Sequence, residues 1–234
     1  MLISIIIPAL DEERSIGAAL DAAARVRGEV ETIVVDGGSA DGTASVARER
    51  GARVVEAPRG RGAQMHAGAR AARGEVFWFL HADTLAPADA AERIIDALGD
   101  PRVVGGNFRV RFDGRGRAAR FLTWLYPRLR RLGLAYGDSG IFVRRAAYER
   151  AGGFKPFPIF EDLDLLRALW RQGRFAQADS FVVTSSRRVE GRSFTLTFAR
   201  WSLLQVLYWL GVSPHSLARL YGHVREAGRR KSGG

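Results

Sequence analysis

The stretch "FWFLHADTLAP" (residues 77–87) runs aromatic and aliphatic to Leu80, then presents His81 and Asp83 with Ala82 between them. A run that is apolar at every position is the pattern of a strand buried on both faces. Packing requires no polar pair at its end, so that end is where chemistry is to be sought. Working outward, "LISIII" (2–7), "VETIVVDGG" (30–38) and "ARVVEA" (52–57) are three further apolar runs. Between the runs, "EERSIGAALDAAARV" (12–26), "ADGTASVARERG" (40–51) and "GAQMHAGARAARG" (62–74) have helical spacing, and "PADAAERIIDALGD" (87–100) opens a fourth helix with proline. Buried strands alternating with helices predict an α/β domain whose mostly parallel sheet is covered on both faces. Ligands of such sheets collect beyond the carboxyl ends of the strands. Pro8 to Glu12, Asp36 with Gly37, and His81 to Asp83 stand at three such ends, which predicts one shared crevice.

The second half is less regular. "VVGGNFRVRF" (103–112) reads as a strand, and "RGRAARFLTWLYPRLRRLG" (115–133) as a basic amphipathic helix interrupted near Pro127. "SGIFVRR" (139–145) is another strand, and "EDLDLLRALWRQGR" (161–174) a helix with acids in its first turn, where the helix dipole favours them. A strand near 175–184 precedes the apolar "SFTLTFARWSLLQVLYWLGV" (193–212) and a closing helix over about 214–227. These elements divide the chain into a domain over 1–190, a helical extension over 191–228 and a disordered tail over 229–234.

Composition narrows the function. The chain of 234 residues has 47% hydrophobic content, enough for a sizeable core. It contains no cysteine, which excludes disulfides, thiolate metal sites and cysteine nucleophiles and fits a cytoplasmic location. The N-terminal run lacks a basic leader and meets Pro8 after seven apolar residues, so it reads as a buried strand rather than a signal peptide. No segment reaches the roughly 18 apolar residues of a membrane span.

The net charge is +11, from 36 Lys and Arg against 25 Asp and Glu. Such a balance favours anionic partners: phosphorylated small molecules, an acidic membrane surface or nucleic acid. It also fits solvated arginine faces. No RNA-stacking motif or recognition helix is evident, so nucleic acid is not an expected partner. The aromatic "ARWSLLQVLYWLG" (199–211) is expected to pack on the sheet or on a second subunit of a homodimer. Its alternative is an interfacial helix at the inner face of the membrane, helped by the arginine-rich segment 115–131.

A dinucleotide-binding domain also begins with strand, turn and helix, but its G-x-G-x-x-G fingerprint should follow the first strand. Here that turn reads "PALDEE", with no glycine. What stands instead is acidic. "PALDEERSI", "VVDGGSADGT", "LHADT", "YGDSGIFVRR", "GGF" and "EDLDL" resemble, in order, the signatures of family 2 glycosyltransferases of the GT-A fold. The resemblance covers residues 2 to about 190. It is nearest to a bacterial subgroup, labelled arsenosugar-biosynthesis or selenium-domain-associated, that has "LHADT" and a "GRGAQM"-type loop.

The resemblance implies a metal-dependent, inverting transfer from a nucleotide diphosphate sugar, UDP-linked, to a small-molecule or lipid-linked acceptor. Asp83 would hold Mn²⁺ or Mg²⁺, because carboxylate oxygens suit a hard cation that neutralises a departing diphosphate. His81 replaces the usual first acid of Asp-x-Asp, and its role stays open among a metal ligand, a contact to ribose or phosphate, and a structural hydrogen bond. Pro8, Ala9, Glu12, Asp36, Gly37 and Ala82 would surround the nucleoside, and Arg61, Gly62 and Gln64 would meet phosphate where a helix opens. Asp138, Gly152 and Gly153 would lie near the sugar. Asp162 would be the base that takes the acceptor proton, with Glu161 supporting it. A non-catalytic nucleotide-sugar binder is the rival reading, motivated by His81.

Overall fold

A computed structural model describes residues 1–114, 116–131, 137–187 and 194–220. The apolar runs form β1 (Ile3–Ala9), β2 (Val30–Asp36), β3 (Arg53–Glu56) and β4 (Val76–Phe79), which pair in parallel in the order β3-β2-β1-β4. The helices between them are α1 (Glu13–Ala24), α2 (Thr43–Glu49) and α3 (Arg61–Ala71). After β4 come a two-residue strand β5 (Thr84–Leu85), α4 (Ala90–Ala97), β6 (Val103–Phe112) and α5 (Arg117–Arg131). A 3₁₀ turn at Gly137–Ser139 leads into β7 (Ile141–Arg144), α6 (Arg145–Arg150), α7 (Glu161–Trp170), β8 (Arg174–Thr184) and α8 (Phe194–Trp209). Residues 214–220 are again helical.

The sheet continues β4-β7-β6-β8-β5, with β7 and β5 running against the other described strands. The two-residue period of a strand sends Ile3, Ile5 and Ile7 to one face and Ile6 to the other. On the first face they meet Ile16, Leu20, Ala47 and Ile94 of α1, α2 and α4. Across the sheet Ile6 packs with Met65, Tyr148 and Leu169 of α3, α6 and α7. Every side chain of β4 is therefore covered, as its unbroken apolar sequence requires.

Two expectations from sequence differ in detail. Helix α5 runs through position 127 rather than breaking there. The proline removes one backbone donor, but the turns on either side keep their own bonds. The strand expected from Ser139 starts at Ile141, because Gly140 N–H closes the preceding turn on Gly137 O at 3.1 Å. The closing helix expected beyond residue 220 and the tail over 229–234 lie outside the described residues.

Trp78 anchors the centre of the sheet. It is fully buried, its ring lies 5.1 Å from that of Phe108, and its Nε1–H donates to Gly140 O at 3.2 Å. Trp78→Ala should destabilise the fold by about 3–5 kcal/mol, read as a lower urea midpoint at unchanged slope.

Candidate active site

The loops after β1 and β2 are knitted to each other. Glu12 N–H donates to Thr43 Oγ1 at 2.8 Å, and Ala40 N–H donates to Asp11 Oδ1 at 2.8 Å. Asp36, at the end of β2, accepts from the N–H groups of Gly38 and Ser39 and from the Ser39 hydroxyl. Gln64 on α3 is buried, and its Nε2 donates to Ala9 O and Val35 O, both at 2.8 Å. Gly37 packs directly over that amide, where an added Cβ would stand 2.9 Å from Gln64 Nε2. Gln64 thus braces the ends of β1 and β2 from beneath.

Across from these loops, Thr84 pairs with Thr184 in the β5–β8 ladder, their hydroxyl oxygens 3.1 Å apart. That register carries Arg187, three residues past Thr184, against Asp83, one residue before Thr84. Arg187 Nη2 lies 3.2 Å from Asp83 Oδ2 and also binds both carboxylate oxygens of Glu12. Hydrogen bonding to Glu12 and the Asp83 charge hold the guanidinium pKa above its ordinary value. Ser186 ties the loop down, donating its N–H and hydroxyl to Asp113 Oδ1 at 2.7 and 2.9 Å.

The second acidic cluster lies at the start of α7. Glu161 is 1% exposed and forms an ion pair with Arg61 at the start of α3. Asp162 accepts from Gly137 N–H and Leu163 N–H, each at 2.8 Å. Burial, reinforced by the neighbouring Glu161 charge, pushes the Asp162 carboxyl up to about 6, although Arg61 and the two amides pull the other way. Burial alone would lower Arg61; the charges of Glu161 and Asp162 outweigh it and hold the guanidinium firmly ionised. His81 faces the same cluster: its Nδ1 is 2.8 Å from Asp138 Oδ1, and it lines a small cavity with Arg61, Gly137, Glu161 and Asp162. Phe160, just before Glu161, takes a left-handed conformation with φ +61° and packs on Tyr208 of α8. Such strain in a buried aromatic persists only where packing imposes it, and it sets the direction of the acids that follow.

The family model for Glycosyl transferase family 2 matches residues 4–151. The chain belongs to that family. An uncharacterised glycosyltransferase of Mycobacterium tuberculosis is 35% identical over 97 residues, 41% of this chain and 43% of that protein. A protein of Mycobacterium bovis with the same description matches equally. The match thus spans less than half the length of these relatives. Among solved structures, glucosyl-3-phosphoglycerate synthase of M. tuberculosis with Mn²⁺, UDP and glucosyl-3-phosphoglycerate is 25% identical. It superposes with a TM-score of 0.58 over 78% of this chain and 70% of that one. TarS of S. aureus, 18% identical with a TM-score of 0.63 over 80% of this chain and 61% of that one, shares the fold. The family's GT-A architecture is the one described above.

Within this family site the structure sorts the residues singled out from sequence. Pro8, Ala9, Glu12, Asp36 and Gly37 stand at the ends of β1 and β2, and Ala82 is buried in the core. Arg61, Glu161, Asp162, His81 and Asp138 come together, whereas Asp83 faces Arg187 and Glu12. Gly62 touches α7 and its preceding loop, where a Cβ would strike the Lys155 carbonyl. Gly152 and Gly153 form the turn that ends α6 and deliver Phe154 to the cavity. Arg187 and Gly137 were missed. Arg187 lies 175 residues from Glu12, and only the basic pair in "SSRR" at a strand end hinted at it.

The residues suit a hard divalent cation. Glu12 and Asp83 converge on one positive nitrogen, so two carboxylates from different strand ends already surround a cationic centre. No cluster of three or more His, Cys, Asp or Glu side chains occurs among the described residues, so further ligands would come from a bound diphosphate. Gln64→Leu should remove the buried amide's bonds to Ala9 O, which keeps Gly37 N–H, and to Val35 O, and cost about 1–3 kcal/mol, read by chemical denaturation.

Proposed function

We propose that the chain is a metal-dependent, inverting glycosyltransferase that moves a sugar from a UDP-linked donor to a hydroxyl of a small-molecule or lipid-linked acceptor. The observation that carries this reading is the pair of acids in opposite settings at one end of the sheet. Asp83 lies against a cation, while Asp162 lies buried beside Glu161 with its pKa pushed up to about 6. Different environments for two acids are what a division between electrostatic and proton-transfer roles needs. The Mn²⁺ and UDP bound by the related M. tuberculosis synthase support the donor class and the cofactor, Mn²⁺ or Mg²⁺. The "LHADT" and "GRGAQM" stretches support the arsenosugar-biosynthesis or selenium-domain-associated subgroup.

In this reading Asp83, with Glu12 beside it, would hold the ion, whose positive charge would stabilise the leaving diphosphate. Arg187 exchanges its carboxylate partners for phosphate oxygens. The acceptor oxygen attacks the anomeric carbon as its proton passes to Asp162, and the bond to the diphosphate breaks with its electron pair leaving on the diphosphate. Arg61, paired with Glu161, fixes the acid next to that base. Asp162 works as a base only when ionised, so kcat/KM should fall as pH drops below about 6; the facing charged groups are Glu161, Arg61, His81 and Asp138. A thermal-shift screen of nucleotide sugars with and without Mn²⁺ should show stabilisation by UDP compounds that depends on metal. Donor hydrolysis by the wild type should drop at least about a hundredfold in Asp162→Asn. Nucleotide stabilisation without any turnover would indicate a binding protein instead.

We also infer peripheral contact with an anionic membrane surface. Trp124, Trp201, Leu203, Val206, Trp209 and Leu210 are exposed, and α5 meets α8 through Phe121 and Phe198, with rings 6.1 Å apart. Segments 114–137 and 191–225 contain ten arginines and no aspartate or glutamate. Exposed aromatic residues on segments rich in arginine and free of acids suit anionic lipid, whereas a second copy of the same segments would bring like charges together. No helix among the described residues is long and apolar enough to cross a membrane. The protein should sediment with vesicles containing phosphatidylglycerol, not with pure phosphatidylcholine, and Trp201→Asp with Trp209→Asp should abolish this. A dimer that ignores both vesicles would point to a homodimer interface.

A further inference from the structure

The Asp83 side chain is only 8% exposed, and among the described residues its one ion pair is to Arg187. Glu12, 19% exposed, turns both carboxylate oxygens toward the same Arg187 Nη2. A single guanidinium nitrogen is thus faced by three oxygens from two strand ends, where the family's cation would be held. Arg187 stands there because the backbone before it is pinned. Thr184 is fixed by the β5–β8 ladder and accepts from Asp113 N–H at 3.0 Å, and Ser186 is fixed by the Asp113 side chain. A charge tethered so closely competes with a free ion at high effective concentration.

Arg187 and a divalent ion exclude each other. Glu12 and Asp83 carry two negative charges, of which Arg187 balances one. A divalent ion added beside the guanidinium would leave the cluster net positive, with like charges in near contact. Arg187 must therefore withdraw before an ion can sit between the acids. An ion alone gives the guanidinium no new partner. A diphosphate does, because its oxygens accept from the guanidinium fork as well as a carboxylate can.

We infer that Arg187 is an internal counter-ion that keeps Glu12 and Asp83 closed to a divalent cation until a diphosphate arrives, so that the cation enters and leaves with the nucleotide instead of residing in the protein. This rests on the donor reading above and adds to it how the filling of the site is controlled. Through Arg187, cation and nucleotide each strengthen the binding of the other, by the same factor in both directions. When the nucleoside diphosphate departs, Arg187 returns to the two acids and the site closes again.

Calorimetric titration of Mn²⁺ into wild type, Arg187→Gln and Asp113→Ala, with and without UDP and corrected for Mn²⁺ held by UDP in buffer, tests the idea. Without UDP, Arg187→Gln should bind Mn²⁺ at least about tenfold more tightly than wild type. Asp113→Ala, which frees Ser186 and loosens the tether, should gain about threefold, although loss of an acid would by itself weaken cation binding. UDP should tighten Mn²⁺ binding in wild type, and about tenfold less in Arg187→Gln. Melting gives a second readout: Arg187→Gln should melt below wild type and recover with Mn²⁺ alone. An Arg187→Gln protein that binds Mn²⁺ no better than wild type without UDP would make Arg187 a phosphate contact only and overturn the inference. So would a wild type that holds Mn²⁺ as tightly without UDP as with it. Should Arg187→Gln not fold, an unchanged Mn²⁺ affinity in Asp113→Ala overturns it. A wild type that binds neither UDP nor Mn²⁺, alone or together, would instead sink the donor reading beneath it.

Discussion

The ion pair between Arg61 and Glu161 is the constraint on which the rest of the site depends. Glu161 is almost wholly withdrawn from solvent, and an ionised carboxylate there is tolerable only with a cation against it. Removing Arg61 would leave Glu161 as a buried, uncompensated charge, at a cost of about 3–5 kcal/mol. The pair binds the start of α3, from the parallel half of the sheet, to the start of α7, from the other half. Gly62 permits the approach, since a side chain there would collide with the Lys155 carbonyl. With Glu161 so placed, Asp162 must share its burial and feel its charge, and the raised pKa follows from that position.

A second constraint is the β5–β8 ladder. It is only two residues long on the β5 side, yet it sets Asp83 and Arg187 face to face. Arg187 thereby joins the carboxylates that follow β1 and β4 with a single positive group. The helical extension has a related task. Leu204, Tyr208 and Leu217 enclose Phe160 and Leu163, so one face of α8 secures the strained turn that aims Glu161 and Asp162. Its other face carries the exposed aromatics, which links a candidate membrane contact to the acids by one helix width.

Much of the fold was legible because strand and helix periods differ. The apolar runs ending at Ala9, Asp36 and Phe79 became the parallel strands β1, β2 and β4, and the helices between them cover alternate faces. The short β5, the helix α6 and the unbroken α5 were not legible. Two residues give no period, and Pro127 argues locally for a break that packing of neighbouring turns overrides. Among site residues, Asp162 and Glu161 could be read as ordinary helix N-terminal charges; burial distinguishes them from Asp164, which pairs at the surface with Lys155 at 3.0 Å. Arg61 was read as a phosphate contact, and the buried acid that it pairs with, 100 residues further on, could not be read from its own loop.

Sequence by itself determined the α/β class, the sheet ends at which polar residues gather, and the family to which the motifs point. These depend on local order along the chain, on hydrophobic period and on motif spacing. Tertiary structure alone decided which charges meet: Arg187 with Asp83 and Glu12, Arg61 with Glu161, and His81 with Asp138 rather than with its neighbour Asp83. The reason is that electrostatic partners are chosen by distance and desolvation, and neither is written in the spacing of residues along a strand.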